Sequence, residues 1–226
     1  MVEFNSEFWA AIAGAVVGGV ISLCIQMVAL NAAKNERREG RRESRAALGR
    51  SLMYKLMRTT SDLHNLHQHV EESYAAAPSE THNEPFLFVL PLANHPEYVH
   101  FSEQEVSLVM SFKDDDLLDQ LMSLDVVHNG LIDVFKTYQV MRNELLEKMP
   151  AQMSGNIGTT TLNQSEMLVV RPRMVAINML LEQARARAKV DYSDARSTLV
   201  RLHKALTVEL GFIGKLQFKN DDTGAK

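Results

Sequence analysis

The sequence predicts an all-α protein: a single N-terminal transmembrane helix followed by an elongated antiparallel cytoplasmic helical bundle or coiled coil. Three observations carry this. Residues 8–30, FWAAIAGAVVGGVISLCIQMVAL, contain no charge. Beyond residue 50, apolar residues recur at alternating steps of four and three, the repeat of one helix face. The 226 residues include only 11 Gly and 6 Pro, too few for a turn-rich sandwich or barrel, and 12 Met with 7% aromatics lean helical. An apolar fraction of 46% excludes a wholly disordered chain. A single cysteine, Cys24, excludes an internal disulfide framework and any multi-cysteine zinc or iron–sulfur site.

Five regions are expected: a short extracytoplasmic N-terminus (1–7), the span (8–30), a basic juxtamembrane stalk (31–50), the bundle (51–218) and a disordered tail (219–226). A helix over the 23 uncharged residues is about 34 Å long, enough for a bilayer core. The leading residues hold Glu3 and Glu7 and no Lys or Arg, and Leu23 precedes Cys24, so neither a cleaved signal nor a lipoprotein signal fits. Lys34, Arg37, Arg38, Arg41, Arg42 and Arg45 crowd the C-terminal flank. Positive-inside logic then leaves the N-terminus outside and the bulk of the chain cytoplasmic, with the bacterial inner membrane as the expected location. The same six residues can touch anionic lipid, although Glu36, Glu39 and Glu43 interrupt them. Within the span, Ala10, Gly14, Gly18 and Ser22 form a small-residue stripe that lets two helices approach closely, unless the span is a plain anchor with no partner.

Residues 31–76 read as one helix leaving the membrane, with Leu52, Leu56, Thr59, Leu63, Leu66 and Val70 on one stripe. A proline-rich connection over about 77–101 contains four prolines within 19 residues, which forbids a regular helix. Its apolar FLFVLPL run (86–92) is expected to pack across the bundle or to bind a partner or membrane. Ser102 and Glu105 form a capping box for a short helix. Asp114 caps the next helix, about 115–148, whose stripe runs Leu117, Leu121, Leu124, His128, Leu131, Phe135, Tyr138, Arg142 and Leu145. A turn-rich linker (150–165) follows. The last helical region carries Met167, Val170, Met174, Ile177, Leu181, Ala184 and Ala188, with Pro172 as a kink or a start. A break is expected at Asp191–Asp194, before Leu199, Leu202 and Leu206 resume the stripe. Residues 97–147 hold 11 acids and 3 bases, and residues 171–204 hold 8 bases and 3 acids, so antiparallel packing of the two would neutralise both. Nucleic acid is not expected as a partner, because no aromatic–basic interleaving offers a stacking platform.

No phosphate loop, dinucleotide fingerprint, zinc-protease signature or nucleophile elbow occurs. His64 and His67 share a helix face, but two imidazoles without further ligands do not make a metal site. No metal or other cofactor is expected. Asp114, Asp115, Asp116 and Asp119 read as helix-start carboxylates without a catalytic role. Arg58 with His64, and Arg196 with His203, fit the Arg-to-His spacing of some all-helical ribonucleases, in which Arg stabilises phosphate charge and His moves a proton. With 14 Arg and 8 His, chance supplies about 1.5 such pairs, so the match is unspecific. The leading expectation is a membrane-anchored interaction or scaffold protein that self-associates and has a protein partner. A membrane-tethered ligand sensor and the ribonuclease are the alternatives. Leu at both Gly14 and Gly18 is expected to weaken self-association; unchanged cross-linking of that double variant in membranes would remove span-driven pairing.

Overall fold

The structure, a computed structural model, describes residues 6–77, 84–149, 152–154, 157–159, 162–216 and 218. Burial is described for Gly14, Gly19 and residues 22–77, 84–149, 162–216 and 218. Four helices make up the described chain: α1 (Ser6–Ala76), α2 (Glu103–Met110), α3 (Asp115–Glu147) and α4 (Gln164–Leu210). A 3-10 turn at Pro85–Leu87 interrupts the first connection. A small antiparallel ribbon, β1 (Gln152–Ser154) against β2 (Ile157–Thr159), occupies the linker expected to be all turn. The expected tail at 219–226, Pro78 and residues 1–5 lie outside the described residues, as do the surroundings of Gly18.

The chain divides into two units, Met1–Ala47 and Leu48–Lys226. In the first, every described side chain from Ser22 to Arg45 is exposed. Among the described residues no helix is long and apolar enough to cross a membrane. The stretch expected to span falls largely on side chains outside that description.

The second unit is a three-helix bundle of α1 (from residue 48), α3 and α4. The α1 stripe is buried as its spacing requires: Leu52, Leu56, Thr59, Leu63, Leu66 and Val70 all face the core. Leu117, Leu121, Leu124, His128, Leu131, Phe135, Tyr138 and Leu145 do the same for α3. Helix α4 runs antiparallel to α1. A Cβ added to Gly49 would lie 2.8 Å from Leu206 Cδ2, so glycine permits that approach. Further along, Arg185 grips Glu71 through two N–H donors at 2.7 and 2.8 Å and covers the Tyr74 ring at 3.8 Å. The Arg185 hydrogen bonds hold the Glu71 carboxyl below the usual carboxylate range. Helix α4 is also antiparallel to α3, since Arg201 binds Asp114 at the start of α3.

Helices α1 and α3 are therefore parallel, a correction to the antiparallel arrangement expected throughout. Parallel neighbours need a connection that returns the length of the bundle, and residues 84–101 supply it. Their backbone is bonded in reverse order along both helices. Arg142 Nε donates to Phe86 O at 2.9 Å, the Tyr138 hydroxyl donates to Val89 O, and Asn129 bonds both Val99 N and Val99 O. From α1, His69 Nε2 donates to Leu90 O at 2.8 Å and Lys55 Nζ donates to His100 O at 2.9 Å. Phe86 and Val89, the centre of the apolar run, are buried. The connection ends at the capping box, where Ser102 and Glu105 exchange bonds. Burial opposes ionisation of Glu105, but hydrogen bonds from Lys55, Ser102 and Ser51 outweigh it and hold its carboxyl below the usual range. Lys113, with a left-handed φ of 57°, turns the chain into α3, and Asp114 caps that helix by accepting from Leu117 N.

Two expectations about α4 change. Pro172 lies inside the helix, which starts earlier at a capping box between Asn163 and Glu166. No break occurs at Asp191–Asp194, because the buried stripe continues through Ala188, Asp191, Ala195, Thr198 and Leu202. Small and polar residues occupy core positions there, which hydropathy alone reads as an interruption. The expected charge neutralisation is also divided: Arg201 pairs with Asp114 and Asp116 of α3, whereas Arg185 pairs with Glu71 of α1.

Asp191 is buried, with Arg187 Nε 3.8 Å away, and burial raises its carboxyl above the usual range. A folded-state value above the unfolded one means stability is lost as pH rises through it. Asp191→Asn is thus expected to raise Tm by about 2–4 °C at neutral pH, with the gain shrinking toward roughly pH 3, where the parent is protonated as well. Thermal melts across that range check this.

Candidate functional site

The remaining groove, between α1 and the C-terminal half of α4, is incompletely filled. On α1, Met53, Met57, Thr60, Ser61 and His64 recur at helical steps beside the core stripe. On α4, Tyr192, Leu199 and His203 face them at steps of seven and four. The core side of α4 is narrow here, at Ala195 and Thr198, so the groove stays open between larger flanking side chains.

The chain itself supplies the outer wall. Helix α4 ends at Gly211, whose left-handed backbone (φ 68°, ψ 35°) reverses the chain. Residues 212–216 and Phe218 then lie back along α4. Phe212 meets the His203 ring edge-to-face at 5.9 Å, and Phe218 lies under the Arg196 guanidinium at 4.6 Å. His203 Nε2 lies 2.5 Å from Gly214 O. A carbonyl only accepts, so Nε2 carries the proton in that bond.

A cavity of about 580 Å³ remains between these walls. Its body is apolar, formed by Met53, Met57, Leu199, Phe212, Leu216 and Phe218. Its polar groups are few: Ser61, His64, Tyr192, His203 and Lys215, together with Thr60, whose hydroxyl already donates to Leu56 O at 2.8 Å. The His64 and Tyr192 rings lie 4.9 Å apart at 41°. An apolar body with a few convergent polar groups is the usual make-up of a small-molecule site.

The structure brings together some of the sequence-predicted residues and separates others. His64 and His203 line this one cavity. Arg196 stands behind its wall, stacked on Phe218. Arg58 points to the other side of α1, 2.9 Å from Glu97 and 4.0 Å from Asp62, so it does not share a site with His64. His67 is half-buried, and desolvation pushes its imidazole below the usual value. Among the described residues no cluster of metal-ligating groups occurs. His128 is fully buried and pairs with Asp62 of α1 at 3.3 Å, and Arg142 serves the returning connection. In the first unit, Ser22, Lys34, Arg37, Arg38, Arg41, Arg42 and Arg45 are exposed, and nothing lies within 4 Å of a Cβ built on Gly14.

Sequence reasoning missed Tyr192, Phe212, Leu216 and Phe218. The available signal was Gly211 as a helix stop followed by the apolar residues Phe212, Leu216 and Phe218 at even-numbered steps. No protein-family model matches the chain, and neither a curated protein nor a solved structure is significantly similar to it.

The His203 hydrogen bond holds the 212–218 segment in place. His203→Ala is expected to speed tryptic cleavage after Lys215 by about fivefold, the factor for one hydrogen bond of about 1 kcal/mol. Mass spectrometry of the early digest measures this, and an unchanged rate would mean that the aromatic contacts alone hold the segment.

Proposed function

We propose that the chain is a single-pass membrane-anchored receptor module that acts by binding: its helical unit takes a small ligand between α1 and α4. The observation that carries this reading is the cavity, with a body of Met53, Met57 and Leu199 and a polar edge of His64, Tyr192 and His203. Anchoring rests on the 23 uncharged residues at 8–30 and on the charge asymmetry around them, acidic before and basic after. That asymmetry supports a cytoplasmic helical unit. The exposed Lys34, Arg37, Arg38, Arg41, Arg42 and Arg45 suit contact with anionic headgroups.

A ligand seated in the cavity would touch both α1 and the 212–218 segment, so occupancy would tie the two together. The ribonuclease alternative loses support from the separation of Arg58 and His64. A second reading, a self-associating scaffold joined through Gly14, Gly18 and Ser22, draws on the surface of the bundle. Met122, Val126 and Val140 of α3 are exposed along one face, as are Leu168, Val175 and Met179 of α4.

Two measurements test the main reading. Carbonate-washed membranes are expected to retain the full chain and to release a variant lacking 8–30; release of the full chain would overturn the anchor. Ser61 is exposed at the cavity mouth, so a larger side chain there obstructs entry without disturbing the core. After incubation with a small-molecule cell extract, native mass spectrometry of the full chain from nanodiscs is expected to show added mass on the parent and none on Ser61→Trp. A bare parent chain would overturn the receptor reading.

A further inference from the structure

We infer that the α1–α4 cavity takes a single-tailed amphiphile with an anionic head, a carboxylate or a phosphate monoester. This rests on the reading of that cavity as a ligand site. Its floor, Met53 and Leu199, is buried and apolar, and Met57, Leu216 and the two phenylalanines continue that surface outward. Methionine side chains are flexible and polarisable, so they adapt to a chain rather than to one rigid shape. A two-tailed phospholipid is larger than a cavity of about 580 Å³, whereas one tail fits.

The sign of the head follows from the charges. The chain as a whole is acidic, with 28 Asp and Glu against 24 Lys and Arg, yet no carboxylate is among the described residues that line the cavity. Lys215 lines it and, among the described residues, has no carboxylate partner within 4.0 Å. The Arg196 guanidinium is held against the outer wall by Phe218. The Ser61 and Tyr192 hydroxyls and the His64 ring complete the polar edge, while the His203 Nε2 proton is committed to Gly214 O. An anionic head gains charge-assisted hydrogen bonds there, while a cationic one would meet, among the described lining residues, only positive and neutral groups.

Full-length protein in phosphatidylcholine nanodiscs, labelled with a diazirine-bearing palmitate and mapped by peptide mass spectrometry, tests this. Labels are expected on the stretches containing Met53–His64 and Leu199–Leu216, and absent from them in Ser61→Trp. Dodecanoate or dodecyl phosphate is expected to compete about tenfold better than dodecanol, and Lys215→Gln to remove most of that preference. The better of the two anions identifies the source, a free fatty acid or a single-chain phospholipid product. Equal competition by dodecanol would overturn the anionic class while leaving the cavity a ligand site. Labels confined to residues 8–30 would overturn the site itself.

Discussion

The architecture of the second unit depends on the burial of an extended segment between two helices. A strand in a sheet finds its hydrogen bonds on a neighbouring strand; here, beyond the turn at Pro85–Leu87 with its own backbone bonds, residues 90–101 are bonded through side chains of the helices. Helices α1 and α3 therefore spend polar residues on that task at the edge of their core stripes. Lys55, His69, Tyr138 and Arg142 each donate to a carbonyl, and Asn129 uses its amide oxygen and nitrogen on one residue. Burial pushes the Tyr138 phenol up to about 12, so it remains a donor across the physiological range. The parallel course of α1 and α3 follows directly from this returning segment.

With the α1–α3 groove filled by the connection, α4 closes the bundle from the remaining side. Leu206 of α4 packs over Gly49, and further along Arg185 meets Glu71 in an ion pair. Between these two points its core positions include the small residues Ala188, Ala195 and Thr198 beside Leu199 and Leu202, and the gap on that side is bounded by residues 212–216 and Phe218. The cavity is thus a product of residue size along α4 and of the chain reversal at Gly211.

The helices were legible because burial of one face imposes a period, and α1 and α3 keep that period almost without exception. The caps at Ser102 and Asp114 were legible because an orphan N–H needs a nearby side-chain acceptor. Three features were hidden for physical reasons. Asp191 occupies a core position with a polar residue, so its helix looked broken. The direction of α1 relative to α3 depends on side-chain-to-backbone bonds between residues 21 to 56 positions apart in the sequence, which no local pattern records. The cavity is made by what the side chains do not fill, and its outer wall lies beyond the last helix. His64 and His203 were singled out for a spacing expected by chance, and they share a site for a different reason, the pairing of α1 with α4.

The connection is gripped through its backbone, and several of its side chains add bonds of their own, His95 to Gln139, Glu97 to Arg58 and Tyr98 to Asp133. Phe86, Val89 and Val99 must stay apolar, but residues such as Leu90, Ala93 and Asn94 contribute little beyond a carbonyl or a length of chain. The constraint is transferred to the helices, where Asn129 or Arg142 has no equivalent substitute. Variation within such a protein would accumulate along the segment that looks most unusual in composition and spare ordinary-looking polar positions on α1 and α3. The polar residues that hold this fold together would then be mistaken for a functional site by any reading that equates invariance with chemistry.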